Sequence, residues 1–196
     1  MKEKLIWFFK SFIWLFVLML AIDITTKLVI MNNMVVGDSI PLIKGFLHIT
    51  YSQNPNAAFG MGFSNPQLNR WLYIAIALIA TGVILFLYIK KFNKYGLFIK
   101  ACLMLILTGA LGNVIDRLFY AKSNYCVVDW IDFCGIWGAI FNIADSCIVV
   151  GTIMLIVYLI VEEVKEYRIK KASEPKEETP VLSKTEQEKK DYDNQE

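Results

Sequence analysis

The chain has 196 residues, of which 56% are hydrophobic and 19% are charged, and its mean hydropathy is +0.48. Soluble domains average about 45–50% apolar and about 25% charged residues, so this composition argues against a water-soluble protein. The 20 basic and 18 acidic residues form no aromatic-interleaved basic face, which argues against nucleic acid as a partner. The single histidine, His48, disfavours zinc peptidase motifs and serine–histidine triads.

Four apolar segments predict transmembrane helices, because each is close to the roughly 20 residues that cross a bilayer as an α-helix. They are residues 11–31, 71–89, 97–115 and 141–161. The first segment exceeds the apolar core of a signal peptide and no small-residue cleavage site follows, so we expect it to be retained. The expected fold class is an all-α integral membrane protein with four transmembrane helices.

Clusters of basic residues lie before the first segment, between the second and third, and after the fourth. Because such residues favour the cytoplasmic side, we expect both termini to be cytoplasmic. The loops 32–70 and 116–140 are then extracytoplasmic. The basic residues that set this orientation are Lys2, Lys4, Lys10, Lys90, Lys91, Lys94, Lys165, Arg168, Lys170 and Lys171.

The expected organisation has three parts: a cytoplasmic segment (1–10), a transmembrane domain (11–161) and a charged tail (162–196). Residues 39–51 mix β-branched and aromatic residues between turn formers, which predicts one or two short strands. From about Ala172 the tail has almost no large apolar residues and cannot offset its ordering entropy, so we expect the tail to be disordered.

Ionisable residues in the predicted spans cost about 2.5–3.5 kcal/mol each on insertion scales, so they indicate function. Asp23 lies past the middle of the first span, and Lys27 follows one helical turn later. This i,i+4 spacing is typical of an acid–base pair. The alternatives are a purely structural ion pair and a lysine that extends outward to the membrane surface.

Two Asn-x-x-Asp motifs lie at the expected extracytoplasmic side of the membrane. Asn113 and Asp116 are near the end of the third span, and Asn142 and Asp145 are near the start of the fourth. Three-residue spacing places the amide and the carboxylate on one helix face. Asp116 and Arg117 also form a candidate charge pair at the helix end. Asn142 and Asp145 have a second interpretation as capping residues of the fourth span.

The apolar segment between these spans carries Asp129 and Asp132, and either acid approaches Asp145 if the segment folds back onto the bundle. Two carboxylates in a low-dielectric cleft share a proton, so one acts as an acid and the other as a base. Such a pair activates water and protonates an amine leaving group without a metal or another cofactor.

The glycines, the cysteines and the histidine say less about function. Gly109 and Gly112 are spaced for close approach between helices. Cys126 and Cys134 form no C-x-x-C metal pattern, although a disulfide between them is an alternative. We interpret His48 as a surface residue of the predicted strands rather than a metal ligand.

Five motifs in order closely resemble those of the lipoprotein signal peptidase (signal peptidase II) family, over about residues 12–161. They are Asp23-Ile-Thr-Thr-Lys27, Asn54-Pro-Asn-Ala-Ala-Phe59, Gly112-Asn-Val-Ile-Asp-Arg117, Val127-Val-Asp129 and Phe141-Asn-Ile-Ala-Asp-Ser146. The family usually has N-T-G-A-A-F in the second motif, so this chain differs at Pro55 and Asn56. The segment 118–126 is also a few residues longer than usual.

The resemblance implies an aspartyl endopeptidase of the bacterial cytoplasmic membrane that removes signal peptides from diacylglyceryl-modified prolipoproteins, cutting on the amino side of the lipidated cysteine. It also implies a small extracytoplasmic β-cradle beside the helices and contact with membrane lipid, and we expect a monomer. Asp129 and Asp145 match the family's catalytic aspartates. The residues that match its supporting positions are Asp23, Lys27, Asn54, Asn113, Asp116, Arg117 and Asn142.

Three other functions compete with this interpretation. A proton- or ion-coupled transporter also uses intramembrane acids, but the sequence has no obvious inverted repeat. A serine–lysine peptidase would use Lys27 with Ser52 or Ser146. A non-enzymatic membrane scaffold would need none of the acids for activity.

Overall fold

The computed structural model describes residues 2–56, 61–134, 136 and 138–173, and the chain divides into two compact units, Met1–Val157 and Tyr158–Glu196. The described residues form five α-helices and four β-strands. In chain order these are α1 (Lys2–Ser11), α2 (Ile13–Asn33), β1 (Ser39–Ile43), β2 (Leu47–Asn54), α3 (Pro66–Lys90), α4 (Leu97–Phe119), β3 (Val127–Asp132), β4 (Ile140–Phe141) and α5 (Ile143–Ser173).

The four predicted spans are confirmed as α2, α3, α4 and α5, which are long and apolar enough to cross a membrane. Their 21, 25, 23 and 31 residues compare with about 20 needed for roughly 30 Å of hydrocarbon. Helix α3 begins at Pro66 rather than at residue 71. The reason is local, since the Asn65 side chain accepts hydrogen bonds from the backbone N–H groups of Gln67 and Leu68 and so caps the helix.

The expected disorder of the tail from residue 162 is wrong for residues 162–173, which continue α5 as a helix. Glutamate, lysine and arginine are good helix formers, so a charged composition does not end a helix by itself. Lys165 also donates to Glu162 one turn earlier, at 2.7 Å. Residues 174–196 lie outside the described residues.

The strands form one antiparallel sheet in the order β1-β2-β3-β4. The strands predicted in residues 39–51 are confirmed as β1 and β2, whereas β3 and β4 were not expected. Val128 of β3 is fully buried in a cluster with Ile30 and Met31 at the end of α2. This packing seats the sheet on the end of the bundle and brings β3 close to the polar residues of the spans.

Two glycines of α4 allow close helix contact, as their spacing predicted. A Cβ atom at Gly112 would lie 2.6 Å from the Asp23 carboxylate and 2.9 Å from the Ala144 side chain. A Cβ atom at Gly109 would collide with the Ala144 carbonyl oxygen. The α2, α4 and α5 helices converge at this level, and because they do, only glycine fits at both positions.

Candidate active site

The nine residues singled out in the sequence lie in one connected network of hydrogen bonds and ion pairs. The network joins α2, α4 and α5 to strands β2 and β3. Its members are Asp23, Lys27, Asn54, Asn113, Asp116, Arg117, Asp129, Asn142 and Asp145.

Lys27 is the centre of a buried ionic triad. Its Nζ atom lies 2.8 Å from an Asp23 carboxylate oxygen and 2.9 Å from one of Asp116, and the three side chains are 0%, 0% and 1% exposed. The structural ion pair is therefore confirmed, and Lys27 does not extend to the membrane surface. The expected pairing of Asp116 with Arg117 is wrong, because consecutive residues of a helix point about 100° apart.

The triad carboxylates also bind the backbone immediately before two other acids. Asp23 Oδ1 accepts from the N–H of Ala144 at 2.9 Å, and Asp116 Oδ2 accepts from the N–H of Val128 at 3.1 Å. Ala144 precedes Asp145, and Val128 precedes Asp129. The triad thus fixes the backbone that carries both acids.

Asp129 is 2% exposed and receives two amide hydrogen bonds. Asn142 Nδ2 donates to its Oδ1 at 2.7 Å, and Asn54 Nδ2 donates to its Oδ2 at 3.0 Å. Burial and, next, the negative charge of Asp145 raise the pKa of Asp129 to about 7. The two amide donors oppose this rise because they stabilise the carboxylate.

Asp145 lies in the first turn of α5 and is linked to Asp129 through two asparagines. Asn113 Nδ2 donates to its Oδ1 at 2.7 Å. Asn142 Oδ1 accepts from the Asp145 backbone N–H at 2.8 Å, so the expected capping role of Asn142 is confirmed. The Asn142 amide therefore binds both acidic residues, which holds them in a defined relative position.

Asp132, the second acid of the apolar segment, does not join this network. The two residues are three positions apart in β3, and an odd separation places strand side chains on opposite faces. Asp132 Oδ2 instead accepts from the Thr50 hydroxyl at 2.8 Å. Of these two acids, Asp129 is the one that faces Asn142 and α5.

Arg117 binds the segment that follows β2. Its Nη2 donates to the carbonyl oxygen of Asn56 at 2.9 Å, and its Nη1 donates to that of Asn113 at 3.2 Å. The acceptor at position 56 is a backbone carbonyl oxygen, which any residue at that position would supply. Residues 57–60, including the Ala-Ala-Phe part of the motif, lie outside the described residues.

Asn69 is a site-supporting residue that the sequence reasoning missed. It is 1% exposed; its Oδ1 accepts from the Phe63 N–H at 2.7 Å, and its Nδ2 donates to Asn56 Oδ1 at 2.8 Å. These bonds tie the segment after β2 to α3. In the sequence, Asn69 is only an amide residue near the amino end of an apolar span, and such a residue is also typical of a helix cap or a surface position.

Cys126 and Cys134 are both free thiols, so the alternative of a disulfide between them is not supported. They lie on either side of β3, one before its first residue and one beyond its last. An extended strand of six residues separates such positions by more than disulfide geometry allows.

Comparison with known proteins supports the same family as the motifs. A family model described as "Signal peptidase (SPase) II" matches residues 15–161. A lipoprotein signal peptidase of Clostridioides difficile (strain 630) is 39% identical over 154 residues, which cover 79% of this chain and 97% of that protein. One of Fusobacterium nucleatum is 40% identical over 146 residues, covering 74% of this chain and 84% of that protein.

Solved structures agree with the fold. A structure titled "Bacterial membrane enzyme structure by the in meso method at 2.3 A resolution" matches with a TM-score of 0.66 and 33% identity, covering 85% of this chain and 92% of that one. A second, at 1.9 Å, matches with a TM-score of 0.65 and 35% identity, covering 75% and 90%. This integral membrane protein therefore belongs to the signal peptidase II family, the membrane aspartyl peptidases that remove signal peptides from prolipoproteins.

Proposed function

We propose that this peptidase cuts diacylglyceryl-modified prolipoproteins on the amino side of the lipidated cysteine, with Asp129 and Asp145 as its catalytic pair. The observation that carries the proposal is the chain of hydrogen bonds that joins the two carboxylates: Asn142 Nδ2 donates to Asp129 Oδ1 and to Asn113 Oδ1, and Asn113 Nδ2 donates to Asp145 Oδ1. Their environments differ, since Asp129 is almost fully buried whereas Asp145 is partly exposed. Unequal environments favour opposite protonation states in the two acids.

In the proposed mechanism, Asp129 is protonated and Asp145 is ionised before reaction. Asp145 takes a proton from water, and the water oxygen attacks the scissile carbonyl. The Asp129 proton stabilises the developing oxyanion by a hydrogen bond. It then passes to the amine of the departing cysteine as the carbon–nitrogen bond breaks, and a proton returns from Asp145 to Asp129 to restore the starting state.

The competing serine–lysine mechanism needs an unprotonated lysine as its base, and Lys27 does not meet this requirement. Both triad carboxylates bind the Lys27 ammonium group, so that lysine is occupied as a structural cation. Ser146, one of its candidate nucleophiles, donates its hydroxyl hydrogen to the carbonyl oxygen of Asn142 at 2.9 Å. Membership of an aspartyl peptidase family also disfavours the transporter and scaffold interpretations.

We further propose that both termini are cytoplasmic and that the active site faces the extracytoplasmic side of the bacterial cytoplasmic membrane. The basic clusters described above support this orientation. The diacylglyceryl chains would remain in lipid while the peptide enters between helices. A monomer suffices, because one chain supplies the whole network.

The cleavage position can be measured directly. The purified chain in detergent should release, from a diacylglyceryl-modified prolipoprotein, a product whose new amino terminus is the lipidated cysteine. Mass spectrometry identifies that terminus, and the same prolipoprotein without its lipid is the control. Cleavage at another bond, or equal rates with the unmodified substrate, would contradict the proposed specificity.

The cleavage rate should also depend on pH. Because the pKa of Asp129 is about 7, kcat/KM should fall as the pH rises through that value and the catalytic acid loses its proton. Asn54→Ala removes an amide that stabilises the carboxylate, so the pKa of Asp129 should rise and the falling limb should move to higher pH. A kcat/KM that does not change above pH 7, or a falling limb that Asn54→Ala shifts to lower pH, would contradict this assignment.

A further inference from the structure

Three side chains that bind metal ions meet at the edge of the sheet, apart from the acid pair. A ring nitrogen of His48, a carboxylate oxygen of Asp132 and the Cys134 sulfur all lie within 4.8 Å of one another. All three residues are partly buried. Imidazole, carboxylate and thiolate are the three side-chain groups that bind Zn²⁺ in proteins.

The sheet register explains why these residues meet although they are far apart in sequence. His48 of β2 and Asp132 of β3 are directly paired across the antiparallel strands. Paired residues project on the same face of a sheet. Cys134 lies two positions beyond Asp132, in the turn that follows β3, where the Ile136 N–H donates to the Phe133 carbonyl oxygen. This turn keeps the Cys134 sulfur beside the other two groups.

Hydroxyl groups hold two of the three side chains in place. The Ser39 hydroxyl bonds Nδ1 of His48 at 3.1 Å, and Thr50 donates to Asp132 Oδ2 at 2.8 Å. Ser39 and Thr50 also bond each other at 2.8 Å. When Nδ1 of a histidine is bonded as a donor, its Nε2 carries the lone pair that binds a metal, and such outer contacts orient metal ligands in known sites.

We propose that His48, Asp132 and Cys134 form a binding site for a divalent transition-metal ion of the zinc type, with water as the fourth ligand. Three protein ligands and one open position are a common tetrahedral arrangement for Zn²⁺. Mg²⁺ and Ca²⁺ prefer oxygen ligands and do not fit this set. Asp132 faces away from Asp129 across β3, so the metal site is separate from the acid pair and does not depend on the proposed function.

Cobalt is the probe that tests the proposal, because Co²⁺ replaces Zn²⁺ in tetrahedral sites and a cobalt–thiolate bond absorbs in the near ultraviolet. The purified full-length chain in detergent should bind one Co²⁺ and show this band. Zn²⁺ should abolish the band by displacing cobalt. Cys134→Ser should remove the band, and His48→Ala should weaken Co²⁺ binding at least tenfold. Ser39→Ala should weaken it by about 10–100-fold.

Cys126→Ser provides the matched control, because Cys126 is the other free thiol beside β3 and has no part in the cluster. This variant should bind Co²⁺ with an unchanged band. Circular dichroism confirms that each variant is folded. Absence of Co²⁺ and Zn²⁺ binding at micromolar concentration, an unchanged band in folded Cys134→Ser, or loss of the band in Cys126→Ser would each overturn the proposal.

Discussion

Asp129→Asn and Asp145→Asn are each expected to lower cleavage of a diacylglyceryl-modified prolipoprotein by at least ~100-fold, the usual size of a general acid–base contribution. Asparagine keeps the size of the side chain and one oxygen acceptor, so Asp145→Asn can still accept from Asn113, and Asp129→Asn can still accept from either Asn142 or Asn54. It cannot take a proton from water or give one to the leaving amine. The loss should therefore appear in kcat, with the protein still folded in the membrane.

Asp38→Asn is the control for these two variants. Asp38 is exposed, and its Oδ2 accepts a hydrogen bond from the Val35 N–H that an asparagine oxygen can also accept. Cleavage by this variant should match the wild-type rate in a single-turnover assay. Near-normal cleavage by either Asp129→Asn or Asp145→Asn would remove that residue from the proposed pair.

Lys27→Met should produce the largest loss of stability among single substitutions in the network. Methionine has a similar length but no charge, so Asp23 and Asp116 would be left buried without their cation. Breaking a buried ion pair in this way costs about 3–5 kcal/mol. Cleavage should fall as well, because the two carboxylates hold the backbone before Asp145 and Asp129. Thermal or detergent-induced unfolding of the purified protein measures the change.

The exposed ion pair of α5 is a suitable comparison. Lys165 and Glu162 are 61% and 41% exposed, so Lys165→Met should leave the unfolding temperature unchanged within error. Adding Asp23→Asn to Lys27→Met removes one of the orphaned charges and should restore part of the lost stability. Equal unfolding temperatures for Lys27→Met and the wild type would show that the triad does not stabilise the fold.

The transmembrane part of the fold could be predicted from sequence because the bilayer imposes a length and a composition on each span. All four spans were found for this reason. Their ends were less certain, since helix ends depend on local bonds such as the Asn65 cap of α3. The continuation of α5 to Ser173 was missed because charged helix formers resemble a disordered tail in composition.

The sequence of β3 does not predict a strand, because residues 127–132 do not alternate apolar and polar side chains, and its pairing partner β2 lies more than 70 positions earlier. The same pairing joins His48 to Asp132, so the metal-binding cluster has no local sequence motif. Pairing between strands that are distant in sequence cannot be predicted from local sequence patterns.

The sequence alone determined that this is a membrane protein with acids in its spans, and that Asp23 and Lys27 lie one helical turn apart, because hydropathy and helical periodicity are local properties. Tertiary structure decided that Asp116 completes the triad, since only packing of α4 against α2 brings it to Lys27. It also separated Asp129 from Asp132, because strand pairing assigns each residue to one face of the sheet. Which acid reaches Asn142 is thus a consequence of register.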